Sequence, residues 1–518
     1  MTIDSRSVVE PPKSLRERVA QLILVRIGSN LPPVRTVEED EARVSRLLEE
    51  CPVGGLLLFN GGPQTRAALE RLQAISKVPL LVASDIERGV GQQVRGFTLF
   101  PHAMAFERLG NEAAATVAEF ARILAQEART AGIHVSFAPV ADVNTNPRNP
   151  IIATRAFSEN ADRAAELTAA YVAAAEAAGL RTTAKHFPGH GDTHQDSHDS
   201  LPSVPRSLEE LEACELVPFR AAVGAGCALV MTAHVAYPAI DPSGLPATLS
   251  RSMLHDVLRK RLGFDGVICS DSLLMAGVRE QFATEEEMAL ATLAAGVDLL
   301  LDLHEPGKVV DYLCRCVEQG SLDPRRVDEA FERVWNLKQR TLAAAELCAG
   351  TGLNEENTSE LPNRVARRAI HVMDSAAPTL PFDANLPLVA VLLKPFETAI
   401  EPPEQPLAAA LRDRFRDVAY HQLGPRSDAA AYEAAYQCAP GATQLLVAMI
   451  VRPAAWHAFG LRPEQCEFAR RIIGERPAVL ASLGVPYALN DFPEAAVRIC
   501  TYSDVPVSQQ ALVEFLIK

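Results

Sequence analysis

The sequence contains no long apolar run and no basic stretch, and these two absences narrow the classes of protein to which it can belong. No segment of its 518 residues approaches the roughly 20 consecutive apolar residues that a membrane-spanning helix needs. Its net charge is −15, so a basic surface for a nucleic acid is not expected. The first residues lack the order of charged, apolar and small residues that marks a secretory leader. We therefore expect a cytoplasmic, soluble protein without a membrane or nucleic-acid partner.

Cysteine pairs with the spacing of a metal site are also missing. The ten cysteines are scattered singly, apart from Cys314 and Cys316, and no CxxC motif occurs. This distribution is typical of reduced thiols that pack as small core residues. A disulfide framework and a structural zinc site are therefore not expected.

Short apolar runs are abundant, and up to residue 345 they alternate with longer helical segments such as 111–132 and 161–179. Continuous apolar runs indicate parallel strands that are buried on both faces. The candidate strands are Val19–Ile27, Gly55–Asn60, Pro79–Asp85, Val135–Val143, Thr182–Phe187, Ala228–Val235, Val267–Asp271 and Val297–Leu303. Eight strand–helix units in about 340 residues predict an α/β fold, a (β/α)₈ TIM-type barrel over residues 1–345.

The composition changes after the barrel. Residues 346–364 are predicted to be a linker, and residues 365–518 to form a smaller C-terminal α/β sandwich domain. The candidate strands of this domain are Leu386–Lys394, Thr443–Val451, Ala478–Gly484 and Ala496–Tyr502. The segment contains no glycine-rich phosphate-binding motif.

Polar side chains recur where the predicted barrel strands end. In a barrel of this kind, the carboxyl ends of the strands form the face that carries the active site. A single acid at a strand end has an ordinary explanation, because Asp often caps the following helix. Several polar residues on one face indicate a site, and here they are Asp85, Asp142, Lys185, His186, His234 and Asp271.

The segment KHFPGHGDTHQDSHDSLP, Lys185–Pro202, concentrates histidine, acid and glycine after the fifth predicted strand. Three interpretations are open: a metal site, sugar chemistry that uses carboxylates, or a polar turn held by its own hydrogen bonds. The possible metal ligands are His186, His190, Asp192, His194 and His198. The paired histidines that barrel zinc hydrolases usually carry early on the first strand are missing, but the spacing alone does not separate the three.

Four motifs together resemble glycoside hydrolase family 3, in particular its bacterial β-N-acetylglucosaminidase branch. They are KHFPGHG with the following DSH and LP (185–202), NPIIATRAFSEN (149–160), VMTAHVAYP (230–238) and GFDGVICSDSLLMAGV (263–278). The segment LASLGVPYALNDFP (480–493) resembles the second, α/β sandwich domain of that family. The resemblance covers nearly the whole chain.

The resemblance implies a role for each matching residue. Asp271 would be the nucleophile that forms a covalent glycosyl-enzyme, His198 the acid/base, and Asp196 the carboxylate that orients it. Histidine suits acid/base catalysis because its ordinary pKa of about 6.5 lets it donate a proton and take one back near neutral pH. Sugar-binding roles are implied for Asp85, Arg155, Lys185 and His186. Two further residues, Asp142 and His234, are expected to line the pocket or to brace it.

The expected protein is thus a retaining exo-β-N-acetylglucosaminidase that requires no cofactor or metal and works as a monomer or homodimer. Its substrates would carry terminal GlcNAc, as muropeptides or chitooligosaccharides do. A β-glucosidase of the same family is an alternative that the DSH motif disfavours, because such relatives take their acid/base from a glutamate outside the barrel. A phosphorylase is another, since a neutral histidine repels phosphate less than a carboxylate does. A catalytically dead sugar-binding protein and a metal hydrolase are the alternatives of a different class.

One departure from the family pattern concerns the turn after the third predicted strand. The usual D-x-E-G-G appears as DIERGVGQQVRG (85–96), with Arg88 in the place of a glycine. Asp85 keeps its position, so we expect the departure to affect the aglycone side and hence the natural leaving group.

Overall fold

The computed structural model describes residues 10–197, 200–347, 355–375, 379–455 and 457–518. They form two compact units. The first comprises the described residues within 1–98, 114–145 and 158–354, and the second comprises those within 99–113, 146–157 and 355–518. The sequence did not indicate that the segments 99–113 and 146–157 would group with the C-terminal part. The predicted limits at residues 345 and 365 stay a prediction.

The first unit is a closed barrel of eight parallel strands, so the predicted fold is confirmed. The strands are β1 Ile23–Ile27, β2 Gly55–Leu58, β3 Leu81–Ser84, β4 Val135–Ser136, β5 Arg181–Phe187, β6 Leu229–Thr232, β7 Val267–Ser272 and β8 Leu299–Leu301. Each strand pairs with its neighbour in the chain, and β8 pairs with β1, where Leu24 lies opposite Leu301. Nearly every strand residue is buried, as parallel strands covered on both faces require.

Helices surround these strands in the order that a TIM-type barrel needs. They are α1 Leu15–Ala20, α2 Val37–Glu50, α3 Thr65–Ile75, α5 Ala113–Ala131, α6 Ala161–Ala177, α7 Leu208–Ala213, α8 Leu216–Gly224, α9 Ala276–Arg279, α10 Glu285–Ala295, α11 Pro306–Glu318 and α12 Pro324–Leu347, with a π-helix at Ser252–Arg261. Several begin at a hydroxyl or carboxamide cap; Thr36, for instance, accepts the backbone N–H of Glu39 in a capping box.

Two predicted strands were too long, for different physical reasons. Val19 and Ala20 belong to α1, whose N-terminus Ser14 caps, so the apolar run from Val19 spans the end of a helix and the start of a strand. The run Val135–Val143 keeps only two strand residues, because Pro139 has no N–H for a continuous ladder. The remaining candidate strands of the barrel overlap the observed ones. The observed β2, β3, β6 and β8 are shorter than predicted at one or both ends, and β5 and β7 are each one residue longer.

The second unit contains a six-stranded sheet in the order β11-β10-β12-β13-β14-β9. Its strands are β9 His371–Ser375, β10 Leu388–Leu393, β11 Val418–Leu423, β12 Gln444–Met449, β13 Val479–Ser482 and β14 Val497–Cys500. Its helices are α4 Ala103–Glu107, α13 Glu355–Ala369, α14 Pro406–Arg414, α15 Ala429–Cys438, α16 Pro463–Glu475 and α17 Pro506–Leu516. All strands are parallel except β9, which runs antiparallel to β14 at the edge.

The sequence missed the two edge strands of this sheet, β9 and β11. Polar residues interrupt both strands, as HVMDS in β9 and VAYHQL in β11, so neither forms the continuous apolar run that marks a central strand. All but one residue of β11 are only partly buried. The part of the predicted linker from residue 355 to 364 lies in α13.

Two further expectations concern features that the sequence lacks. The nine cysteines in the described ranges are free thiols, of which five are buried and four are partly buried. Within the same ranges, no helix is both long enough and apolar enough to cross a membrane.

Candidate functional site

Five of the predicted site residues are joined by direct contacts at the carboxyl ends of the barrel strands. They are Asp85 after β3, Asp142 after β4, Lys185 and His186 on β5, and Asp271 on β7. Strands β5 and β7 each change register against their next neighbour at these residues. Such irregularities redirect side chains, which is why they are frequent beside active sites.

Lys185 holds two carboxylates on one side of the site. Its Nζ lies 2.6 Å from Asp85 Oδ1 and 2.7 Å from Glu87 Oε1. The lysine side chain is only 2% exposed, whereas that of Asp85 is 29% exposed. A buried ammonium needs such partners, and the more exposed Asp85 keeps surface available for a ligand.

His186 is oriented by Asp142, which lies beneath it. Asp142 Oδ2 is 2.8 Å from His186 Nδ1, and Asp142 also accepts the backbone N–H groups of His186 and His190. Burial raises the pKa of Asp142, but the charge of His186 and these hydrogen bonds outweigh it and leave the pKa below its ordinary value. An ionised carboxylate only accepts, so Nδ1 carries the proton and Nε2 is turned toward Asp271, whose Oδ2 is 4.0 Å away.

Asp142→Asn is expected to destabilise the protein in a pH-dependent way. An amide in place of the carboxylate leaves buried N–H donors unpaired, at a cost of about 1–3 kcal/mol in the free energy of unfolding. Because the folded pKa of Asp142 is lowered, its stabilisation is complete above its unfolded value of about 3.9 and is lost as the pH falls through the folded pKa. Thermal melts from pH 7 to pH 3 should therefore show a gap from wild type that narrows below about pH 4. A gap that does not change with pH would contradict the ionised state of Asp142.

Asp271 is positioned with one oxygen held by the backbone and the other directed at the site. Its Oδ1 accepts the backbone N–H of Ser272 at 2.7 Å, and Oδ2 is the atom near His186. Its side chain is 22% exposed at the end of an otherwise buried strand. The carboxylate is therefore accessible to a ligand.

His234 and Asp142, which were predicted to line the pocket or to brace it, are both fully buried. His234 Nε2 donates to the carbonyl of Ser272 at 3.0 Å, and Nδ1 lies 2.8 Å from Thr248 Oγ1. With no exposed surface, neither residue offers an atom to a substrate in this conformation. Their contacts hold neighbouring strands of the site together, and a role of either residue in sugar binding stays a prediction.

The loop after β5 is fastened at several points. His190 contacts the hydroxyls of Thr193 and Ser197, each at 2.9 Å, and Asp192 pairs with Arg206 at 2.9 Å. Through these contacts, His190 and Asp192 hold the loop in place.

The same loop closely approaches two neighbouring segments at glycines. A Cβ on Gly191 would lie 1.7 Å from the carbonyl oxygen of Val143, so no other residue fits there. The N–H of Gly277, just after β7, donates to the carbonyl of Ser197 at 3.2 Å. Asp196, which is buried next to Ser197, is thereby held in the segment that contacts the region after Asp271.

Two further predicted residues are His198 and Arg155. His198 lies outside the described residues. Arg155 belongs to the second unit, where its Nη1 donates to the carbonyl of Ile151 at 2.7 Å. Their roles stay predictions.

Sequence reasoning missed three charged residues at the barrel rim. Glu87 is the second partner of Lys185, and Asp302, just after β8, accepts from the Ser272 hydroxyl and from Arg26 on β1. The sequence carries a signal for each of the three. Glu87 is an acid two residues after Asp85, and Asp302 is an acid that comes directly after a strand. Arg26 is the one charged residue in the apolar run of β1.

The histidine-rich loop was also a candidate metal site. Among the residues that the structure describes, no three His, Cys, Asp or Glu side chains are placed to share a metal ion. The group that does assemble is a lysine, a histidine and several carboxylates, of which Asp85 and Asp271 are partly exposed. Carbohydrate chemistry uses this type of arrangement.

Residues 14–337 match the model of the glycosyl hydrolase family 3 N-terminal domain. The chain belongs to glycoside hydrolase family 3. It is therefore a glycoside hydrolase, as the resemblance implied.

Two relatives and one solved structure support this family assignment. The β-hexosaminidase A of Pseudoalteromonas piscicida is 31% identical over 387 residues, which are 68% of this chain and 64% of that protein, so this chain spans less than two thirds of that relative. A β-N-acetylglucosaminidase/β-glucosidase of Cellulomonas fimi is 29% identical over 507 residues, 93% of this chain and 89% of that protein. The solved family 3 β-N-acetylglucosaminidase from Paenibacillus sp. str. FPU-7 superposes with a TM-score of 0.86 at 30% identity, covering 98% of this chain and 97% of that chain.

Proposed function

We propose that this family 3 enzyme is a retaining exo-β-N-acetylglucosaminidase that works by double displacement through a covalent glycosyl intermediate on Asp271. The observation that carries the proposal is the position and exposure of the Asp271 side chain. It lies accessible at the carboxyl end of β7, with Oδ1 bound by a backbone N–H and Oδ2 directed at the site. A nucleophilic carboxylate needs an oxygen that faces the substrate and a fixed direction of attack.

The sugar would be held by the charged group around Lys185. Asp85 is the most exposed member and can accept hydrogen bonds from sugar hydroxyls, while Lys185 keeps its carboxylate in place. His186, oriented by Asp142, would present Nε2 to the same ring beside the nucleophile. Arg155 is proposed as a further sugar ligand from the family motif alone.

Proton transfer is assigned to His198 and its orientation to Asp196. His198 would protonate the leaving oxygen in the first step and deprotonate water in the second. Asp196 is two residues earlier in the same fastened loop and is buried. A buried carboxylate that holds one imidazole nitrogen leaves the other nitrogen for the substrate, which is the orienting principle of a catalytic triad.

GlcNAc glycosides are the substrates that we propose, as muropeptide fragments or chitooligosaccharides. The relatives named β-hexosaminidase and β-N-acetylglucosaminidase support this choice. A β-glucosidase is the second candidate, because the printed name of the Cellulomonas fimi relative includes that activity. Phosphorolysis is a third outcome, which a histidine acid/base would permit.

Turnover of matched aryl glycosides tests the proposal. We expect 4-nitrophenyl β-GlcNAc to be hydrolysed with a kcat/KM at least about tenfold above that of 4-nitrophenyl β-glucose, because the acetamido group adds contacts that the glucoside lacks. Phosphate should neither raise the rate nor yield GlcNAc 1-phosphate. A preference for the glucoside would favour the β-glucosidase, and a sugar phosphate as product would favour the phosphorylase.

Removal of metal ions is expected to leave the enzyme active. If the histidines of the loop serve proton transfer and structure, exhaustive chelation should not change kcat, and elemental analysis should find no stoichiometric zinc. Zinc at one ion per chain, with activity lost on removal and restored on return, would instead support the metal hydrolase.

The cellular setting belongs to the same proposal. Release of GlcNAc from muropeptides would give the enzyme a part in peptidoglycan recycling in the cytoplasm, as a monomer or homodimer. Fractionation of the native cells and light scattering of the purified protein would test location and oligomeric state.

A further inference from the structure

Ser272, the residue after the proposed nucleophile, is fixed by hydrogen bonds on both sides of β7. Its hydroxyl donates to Asp302 Oδ2 at 2.7 Å, from the β8 side. Its carbonyl accepts from His234 Nε2 at 3.0 Å, from the β6 side. Its backbone N–H donates to Asp271 Oδ1 at 2.7 Å. The position of Ser272 therefore sets which oxygen of Asp271 is turned toward the site.

Asp302 is itself held in place. It is 2% exposed and has a φ of +70°, a left-handed conformation that is strained for a residue other than glycine. Arg26 donates Nε to Oδ1 at 2.9 Å and Nη2 to Oδ2, a bidentate pair. The guanidinium of Arg26 also lies over the ring of Phe59, 4.8 Å from its centroid. The acceptor of the Ser272 hydroxyl is thus a fixed point.

The ion pair between Arg26 and Asp302 also has an electrostatic effect on the site. Asp302 and Asp271 both accept hydrogen bonds from Ser272. Without Arg26, these two anions in a partly buried site would repel each other. Arg26 neutralises Asp302, so the serine gains a strong acceptor without a net negative charge beside the nucleophile. The register change of β7 against β8 falls between Cys269 and Ser272, where this connection is made.

We propose that Asp302, neutralised by Arg26, acts through Ser272 as the positioning residue for Asp271. This inference rests on the proposed function in taking Asp271 as the nucleophile. An attacking oxygen displaced by about 1 Å can cost on the order of 100-fold in rate. Asp302 does not touch the sugar; it acts on the direction from which Asp271 attacks.

Ser272→Ala is the primary test, because it removes one hydroxyl and breaks the connection. We expect kcat/KM to fall about 10- to 100-fold, with the loss in the rate of glycosylation and KM within about twofold. Ser272→Thr, which keeps a hydroxyl, should recover most of the rate. A burst of dinitrophenolate from the activated aryl glycoside measures the glycosylation step directly.

Asp302→Asn and the double variant test whether the residues act as one chain. If they do, adding Asp302→Asn to Ser272→Ala should cost little beyond the larger single effect. The matched control is Asp40→Asn: Asp40 is a buried aspartate that pairs with Arg43 at 2.6 Å and accepts the N–H of Gly28, without contact to Ser272. It should lower the melting temperature and leave kcat/KM of the folded enzyme within about twofold of wild type.

The outcomes separate this inference from the proposed function. All variants are measured on whichever aryl glycoside the wild type hydrolyses. A preference for the aryl glucoside would therefore contradict the proposed substrate, but the test of positioning would remain valid. If Ser272→Ala keeps wild-type kcat/KM, or Ser272→Thr is as slow as Ser272→Ala, the positioning role is overturned. Fully additive losses in the double variant would also overturn it, because Asp302 would then act independently of the serine.

Discussion

Asp271→Asn should lose more than about 10³-fold in kcat while GlcNAc still binds. The amide is nearly isosteric, so the hydrogen bond from the Ser272 N–H can be kept, but a neutral amide oxygen is a poor nucleophile and a glycosyl ester cannot form. Turnover of 4-nitrophenyl β-GlcNAc gives the rate, and calorimetric titration with GlcNAc gives the affinity.

A matched variant makes this result specific. Asp265→Asn changes an exposed aspartate six residues earlier in the same motif and should retain wild-type turnover. Mass spectrometry must exclude deamidation of the introduced amide back to the carboxylate. If the Asp271→Asn variant keeps more than a few per cent of the wild-type rate after that check, another residue is the nucleophile.

His198→Ala should separate substrates by the quality of their leaving groups. Dinitrophenolate needs little protonation to depart, so glycosylation by the activated substrate should keep most of its rate. An alkyl or saccharide leaving group should lose about 10²–10⁴-fold, the usual contribution of a general acid. Because water then lacks a general base, the glycosyl-enzyme should accumulate and appear as a burst of phenolate in stopped-flow measurements.

Azide provides the decisive check on the same variant. An anionic nucleophile needs no base, so azide should restore turnover and yield a β-configured GlcNAc azide, the product of two inversions. Asp196→Ala should behave as a weaker version, since the imidazole remains but loses its orientation. Gln195→Ala, an exposed neighbour in the loop, should match wild type. Equal losses on activated and unactivated substrates, with no response to azide, would make His198 a binding residue only.

The barrel and most of the polar residues on its rim could be predicted from the amino-acid sequence. Parallel strands covered on both faces must be apolar throughout, so they stand out as continuous runs, and the polar residues that end them are visible for the same reason. Asp85, Lys185, His186 and Asp271 were found in this way, and the structure joins them through contacts at the carboxyl ends of the strands.

The less apolar features of the chain could not be found from the same signal. Polar residues interrupt the edge strands β9 and β11, so their sequences lack the run that marks a central strand. The start of β1 was misplaced because a buried helix end and a buried strand are equally apolar where they adjoin. The local composition of a segment indicates whether it is buried. At these places, burial alone does not distinguish a strand from a helix or an edge strand from a loop.

The pairing of charged side chains could not be predicted, because it depends on how the barrel closes. Arg26 and Asp302 are 276 residues apart in the chain and meet because the barrel closes β8 onto β1. Nothing in the sequence showed that Asp142 and His234 are completely buried, or that they contact His186 and the carbonyl of Ser272. An unpaired charge is costly in a buried site, so buried charges need partners, and these partners meet only when distant strands are brought side by side.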